Sequence, residues 1–428
     1  MARYCGIVVM VPYSVPGDTL LVEITEAKRS FARGRIISVI TPSPDRQAPQ
    51  CRYHFAPEKC GREYCGGCNF QMLKYPAQLK AKLSILEDFR FGVKPEVFPA
   101  NDAFRYRNKI QIPVGGRTGN AIMGFFMPRS HDITDIRGCL LETEAANLIA
   151  EEIRRLINDY GIQPYDEDRR SGVLRHIILR QSLAAGKFML IFVTKTEFMR
   201  HIGEITAKIT EKFPQVVSVH QNINPERTNV IFGEKTIKIF GEKTIKETIG
   251  GITFEISPGS FFQVNTAQAE NLYATIKKFA ELTGAENVID VYSGSGGISL
   301  YLARQCKTIT GIEEVSQAVA DARRNAAINS ISNARFILES ADRALQKMDA
   351  GLAEIVILDP PRIGCSEKVI NALLRLLPEK IIYTSCNPAT LARDVKLLSG
   401  RYKLSGLAMV DLFPQTAHIE CVAKLTRC

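Results

Sequence analysis

The 428-residue chain has no apolar run long enough to cross a bilayer; its longest apolar stretches are strand-sized. Near its start, one early arginine precedes a brief apolar run at 7–11, with no long hydrophobic region and no small-residue cleavage pattern. That stretch reads as a strand and not as a signal peptide. The 11 cysteines lack the regular spacing of a disulfide scaffold, which points to a reducing, cytoplasmic setting. A dinucleotide fingerprint is missing too: the glycine-rich loop discussed below has Ser299 where the third glycine would stand. What is present is ample apolar material, 45% hydrophobic with 23% charged residues, enough for two or three domains with their own cores. The net charge is +10, with denser groups at FRYRNK (104–109) and at Arg169, Arg170 and Arg175. A polyanion such as nucleic acid suits that balance, although solubility alone accounts for it as well.

Residues 1–50 alternate short β-like runs with turns, such as Pro16-Gly17-Asp18. This pattern predicts a five-stranded, OB-like barrel with a basic face at Lys28, Arg29, Arg33 and Arg35, followed by a linker at 41–49. A purely structural barrel with solvated charges fits the same residues. Next, Cys65-x-x-Cys68 with an upstream cysteine has metal-type spacing, because two intervening residues let both thiolates face one ion or cluster. The upstream cysteine is Cys51 or Cys60, a choice that spacing leaves open and that the family resemblance given below decides for Cys51, and Cys139 is the expected further donor. Spacing does not choose zinc over an iron–sulfur cluster. Helical character at 75–89, 142–160 and 203–213, with strands at 105–114, 177–180, 187–194 and 216–220, predicts a central α+β domain over 51–259. The octapeptide IFGEKTIK occurs twice in tandem, at 231–238 and 239–246, and reads as two neighbouring strands of one hairpin.

From residue 287 onward strands (288–292, 309–313, 334–338, 354–358, 380–384) alternate with helices (299–305, 317–329, 366–377). The prediction is a mostly parallel, doubly wound α/β domain over 260–428. Ligands bind at the carboxyl edge of such sheets. There the loop DVYSGSGG (290–297) places Gly294 and Gly296 for close backbone approach, with Glu313 ending the next strand to grip ribose hydroxyls. This looser pattern suits S-adenosylmethionine better than NAD, because a sulfonium needs no pyrophosphate cradle. Asp359, opening DPPR, suits a planar base, or else marks an ordinary strand-to-turn junction. Cys386, stopped by Asn387-Pro388 at a strand end, is placed as a nucleophile, although most lone cysteines are buried hydrophobes. Glu420, flanked by Ile419, Cys421 and Val422, reads as a carboxylate of raised pKa and not as a solvated charge.

Together GSFFQVN (259–265), DVYSGSGG, DPPR, TSCNPATLARD (384–394) and LFPQTAHIE (412–420) resemble the RNA uracil-C5 methyltransferase family, which makes 5-methyluridine in tRNA and rRNA. The resemblance covers nearly the whole chain. It implies an N-terminal TRAM domain, a 4Fe-4S cluster on the cysteines, a Rossmann-like S-adenosylmethionine-dependent domain, and an RNA partner. It implies Cys386 as nucleophile and Glu420 as the base, with Gln263, Tyr292, Glu313 and Ser340 on the cofactor and Asp359 on uracil or cofactor. Two departures stand out: Gly297 replaces an asparagine common in the family, and the segment before Cys65 is longer. A full TRAM barrel with a cysteine cluster favours 23S rRNA over tRNA as substrate, with a monomer as the working state. The competing readings are a catalytically inactive iron–sulfur RNA-binding protein and a cytosine-C5 RNA methyltransferase.

Overall fold

The computed structural model describes residues 2–4, 6–59 and 64–428; Cys60 lies outside the described residues. Four short strands, β1 (Ala2–Tyr4), β2 (Ile7–Met10), β3 (Thr19–Ala27) and β4 (Phe31–Thr41), form one sheet in the order β1-β2-β4-β3. That is one strand fewer than the five expected, among the described residues. The stretch 41–49 is not a loose linker. Asp18 accepts from the backbone N–H groups of Val15 (2.7 Å) and Ser43 (3.0 Å) and pairs with Arg46 at 2.6 Å, so one buried carboxylate fastens the sheet to this stretch.

The next segment holds α1 (Tyr75–Glu87), β5 (Glu96–Phe98), β6 (Lys109–Arg117), β7 (Asn120–Phe126), β8 (Ile133–Asp135), α2 (Glu144–Asp159), β9 (Leu174–Ser182), β10 (Lys187–Thr194), α3 (Ile202–Lys212), β11 (Val216–Ile223), β12 (Lys235–Gly241), β13 (Ile245–Ile249) and β14 (Ile252–Ile256). Seven of these strands form a sheet in the order β12-β11-β10-β9-β6-β7-β8. Thr143 caps α2 by accepting from Ala146 N–H, and the stripe Ile149, Ile153, Leu156 and Ile157 is fully buried against one sheet face. The other face carries Ile178, Met189, Ile191 and Val193 into the core of the C-terminal domain. Burial on both faces explains why these strands read as continuous apolar runs.

The tandem octapeptides do not pair with each other. β12 runs across their junction as an exposed edge strand on β11, and Gly241 then turns the chain at φ +69°. β13, from the second copy, pairs with β14, where Ile245 is buried while its counterpart Ile237 is half-exposed. Identical residues diverge because the core accepts only one of the two.

The C-terminal elements are α4 (Thr266–Ala280), β15 (Asn287–Val291), α5 (Gly297–Ala303), β16 (Thr308–Glu313), α6 (Ser316–Ile328), β17 (Ala334–Leu338), α7 (Ala341–Gln346), β18 (Ile355–Leu358), α8 (Glu367–Leu376), β19 (Lys380–Ser385), α9 (Pro388–Leu398), β20 (Tyr402–Val410) and β21 (Glu420–Arg427). The sheet order is β17-β16-β15-β18-β19-β21-β20-β5. The first five strands are parallel, as the alternation predicts; β21 then inserts antiparallel between β19 and β20. β5 joins from far upstream as the edge, parallel to β20. Two apolar layers cover the sheet faces. α1 docks here through polar bonds: buried Lys82 pairs with buried Asp411 at 2.5 Å, Tyr75 donates to Asp411 at 2.8 Å, and Gln78 and Gln415 bond twice at 2.9 Å. These bonds fix the loop that leads into Glu420. Among the described residues no helix is long and apolar enough to cross a membrane.

Candidate functional site at the carboxyl edge of the sheet

The sequence-predicted groups converge on one sheet edge. Tyr292, the residue after β15, is held at φ +68°, and the loop continues through Gly294 (φ +55°) and Gly296 (φ +85°). The two glycines serve different ends. A Cβ on Gly294 would meet nothing, so its backbone faces open space, whereas one on Gly296 would press on Phe336 and Ala322 at 3.1 and 3.2 Å. Glu313 accepts from Gly294 N–H at 2.9 Å and from Val315 N–H at 2.8 Å, one bond to each oxygen. It therefore shapes the loop and keeps lone pairs free for hydroxyl donors. Ser340, half-buried, lines an open cleft of about 560 Å³ with Glu314, Asp342 and Lys368 beyond the ends of β16 and β17. Gln263 lies in the loop before α4, where its carbonyl accepts from Asn108 at 2.9 Å.

Two residues shape the site in ways the sequence reading did not assign. Ser299, whose presence argued against a dinucleotide loop, donates to buried Asp290 at 2.5 Å; burial pushes that carboxyl up to about 7. Tyr273, buried on α4, sets its hydroxyl where a side chain at position 297 would stand, so the glycine there makes room for it.

The second half of the edge holds the reactive groups. β19 and β21 pair with Ser385 opposite Cys421, and one further step in that register sets Cys386 opposite Glu420. Asn387 then caps α9 by accepting from Ala389 N–H at 3.1 Å, and Pro388 takes the first helical position. The Asn-Pro stop is thus also a helix start. Asp359, one residue past β18, adjoins both. Burial holds the Glu420 carboxyl well above the carboxylate range, and Asp359 raises it further while Arg362 opposes. Burial also raises the Cys386 thiol, with Glu420 and Asp359 adding to the shift and Arg362 pulling it down. Among the described residues Arg362 acts on both groups. The DPPR motif contained the signal, but the arginine passed as part of a turn. Its Nη2 lies 3.1 Å from Nδ1 of His418, whose imidazole pKa is lowered by partial desolvation and by neighbouring cations, Arg362 among them. The turn itself is held by Gly364 N–H to Pro361 O at 2.8 Å, Arg393 to Ile363 O at 2.9 Å, and Asn387 to Arg362 O at 3.0 Å.

Cys51, Cys65, Cys68 and Cys139 line one separate cavity of about 390 Å³, together with Glu142, Arg107, Lys109 and Phe261. Asn147 brackets Cys139, accepting its N–H at 2.8 Å and donating to its carbonyl at 3.0 Å. Gly67 N–H donates to Cys65 Sγ at 3.3 Å. Burial pushes Cys65 up to about 12 and Cys68 to about 11. Among the described residues, no group of three or more His, Cys, Asp or Glu side chains is placed to hold a metal ion. The cavity thus gathers four soft donors, with a backbone amide donating to one of the sulfurs.

Comparison with known proteins agrees with this layout. The tRNA (uracil-5-)-methyltransferase family matches residues 227–428, and the TRAM domain matches residues 1–37. An uncharacterized RNA methyltransferase of Bacillus cereus is 39% identical over 438 residues, covering 100% of this chain and 93% of that protein. One from Clostridium tetani is 36% identical, covering 98% and 91%. The crystal structure of Pyrococcus abyssi tRNA (uracil-54, C5)-methyltransferase with S-adenosyl-L-homocysteine is similar over 98% of this chain and 95% of that one, with TM-score 0.80 and 30% identity. The chain belongs to the RNA uracil-5-methyltransferase family: it is an S-adenosylmethionine-dependent RNA methyltransferase with an N-terminal TRAM domain.

Proposed function

We propose that the protein methylates C5 of a uridine in RNA through a covalent adduct between Cys386 and C6 of uracil. The reading rests above all on the register that sets Cys386 opposite Glu420, with Arg362 acting on both. Uracil C5 is too weak a nucleophile to attack a sulfonium unaided. Cys386 adds its thiolate to C6, and the displaced electron pair makes C5 an enolate carbon. C5 then takes the methyl group as the S–CH3 bond breaks, and S-adenosylhomocysteine leaves. Glu420 removes the C5 proton, the C5=C6 bond re-forms, and Cys386 departs as thiolate. The raised pKa of Glu420 strengthens it as a base, a contribution of ~10²–10⁴-fold. Arg362 stabilises the thiolate before attack and after release. Gln263, Tyr292, Gly294, Gly296, Glu313 and Ser340 would hold the cofactor, and Asp359 would bind uracil or cofactor. The target base leaves its stack to reach both reagents.

The four cysteines Cys51, Cys65, Cys68 and Cys139 hold a 4Fe-4S cluster in this reading. Bound there, a cluster would tie the segments carrying Cys51, Cys65 and Cys68 to the one carrying Cys139; methyl transfer itself needs no electrons. The protein works as a monomer in the cytoplasm. A full TRAM domain with a cysteine site favours 23S-type rRNA, and the tRNA specificity of the Pyrococcus relative makes tRNA its direct competitor. The test is transfer of labelled methyl to unmodified tRNA, 16S-type and 23S-type rRNA, beside Cys386→Ala. Label in the uridines of one RNA, lost in the variant, supports the reading. No label in any RNA by protein that binds the cofactor overturns it.

A further inference from the structure

The turn at 361–365, which presents Arg362, is held by α9, the helix that starts two residues after Cys386. Arg393 on that helix donates to Ile363 O at 2.9 Å and to Cys365 O at 3.1 Å. Asp394, fully buried, collects three donors: Arg393 Nε at 2.7 Å, the backbone N–H of Cys365 at 2.9 Å and the Tyr383 hydroxyl at 2.6 Å. Tyr383 stands on β19, three residues before Cys386. The last two donors meet the same oxygen, Oδ2, so one atom joins the strand that carries Cys386 to the turn that carries Arg362. The Cys365 thiol in turn meets the hydroxyls of Tyr383 and of Tyr292, on the cofactor loop. The turn lies tightly on the helix: Gly364 sits at φ +77°, and a Cβ there would stand 2.6 Å from Arg393 Nη2 and 2.7 Å from Asp394 Oδ2. Arg362 itself is exposed, so apart from its contact with His418 its position follows from the backbone of this turn. That position matters to Cys386. Burial raises the thiol, Glu420 on β21 and Asp359 after β18 add to it, and Arg362, within hydrogen-bonding reach, lowers it. Cys421, a further titratable neighbour on β21, is held protonated by burial.

We propose that Asp394 is a positioning residue that sets the Arg362 turn against Cys386 and so favours the attacking thiolate. The inference rests on the catalytic reading above and adds how its cation is held in place. The test reads the thiol directly, without RNA and so independently of methylation. Full-length protein is treated with iodoacetamide over a pH series, and labelling of the Cys386 peptide is followed by mass spectrometry. Only the thiolate reacts, so the midpoint of labelling reports its ionisation. Asp394→Asn and Arg393→Met are compared with wild type and with Arg362→Gln, singly and combined with it. Arg393 is exposed, so its variant removes turn bonds without disturbing the core and carries the test if Asp394→Asn fails to fold. Both single variants should move the midpoint to higher pH, and neither should move it further in the Arg362→Gln background. Removing the negative charge of Asp394 would by itself lower the midpoint, so a rise reports the displaced arginine. At pH 7 kcat/KM should fall ~10–10²-fold while affinity for S-adenosylmethionine holds. A midpoint that stays or falls in folded Asp394→Asn overturns the proposal, and so do shifts that add to that of Arg362→Gln. Loss of S-adenosylmethionine affinity with the midpoint unmoved also overturns it, assigning Asp394 to the cofactor loop through Cys365 and Tyr292. The predicted midpoints in a protein that never methylates RNA would sink the catalytic reading and leave the placement of Arg362 standing.

Discussion

The sheet edge and the cysteine cavity lie near one another but are built on different principles. At the edge, every reactive group follows a strand terminus, so backbone register sets its position: Cys386 after β19, Asp359 after β18, Glu420 opening β21. Further bonds tie the supporting loops, and charges of both signs meet there, Glu420 and Asp359 against Arg362. In the cavity the four thiols come from loops, two of them 71 residues apart at Cys68 and Cys139, and burial pushes Cys65, Cys68 and Cys139 up. The first arrangement suits chemistry, where geometry must persist through turnover. The second suits a ligand that joins distant segments.

If that contrast holds, Cys386→Ala abolishes methyl transfer while iron content stays at the wild-type level, and Cys65→Ala does the reverse, losing iron yet retaining measurable transfer; metal analysis beside a methylation assay reads both. Next in size, Glu420→Gln lowers turnover ~10²–10⁴-fold and accumulates protein–RNA adduct, since methylation precedes the step it blocks. Rapid-quench gels detect that adduct, and its absence would mean that another base takes the proton. Lys82→Met strands Asp411 beneath the loop leading to Glu420, and thermal denaturation should register a loss of about 3–5 kcal/mol. The smallest effect is a shift in a pH profile. The thiolate is the attacking form, so kcat/KM rises with pH as Cys386 deprotonates. Arg362 pulls that pKa down, so Arg362→Gln moves the rising limb to higher pH. A shift to lower pH would contradict the assigned role.

What was legible in the sequence tracks the same division. The five parallel strands and the helices α5, α6 and α8 were readable because period and length speak locally, whereas α7 and α9 were missed; Cys386 was readable because Asn387-Pro388 punctuates a β-rich run. β20 and β21 were missed, and with them the reason Glu420 faces Cys386, because an antiparallel return strand carries no local mark distinguishing it from a loop. β5 could not be placed, since three residues give no periodicity and their partner lies over 300 positions away. The tandem octapeptide misled because identical sequence suggests identical pairing, whereas burial decided between the copies. Arg362 and Tyr273 escaped because their roles depend on what stands opposite them in space.

The most direct test of the central claim uses RNA carrying 5-fluorouridine at the target position, incubated with S-adenosylmethionine and then digested for mass spectrometry. Fluorine at C5 cannot leave as a proton, so a reaction that proceeds through C6 addition stalls as a covalent complex. The predicted result is a methylated fluorouridine attached to the peptide containing Cys386. A complex at another cysteine, or full turnover with no complex, would contradict the account.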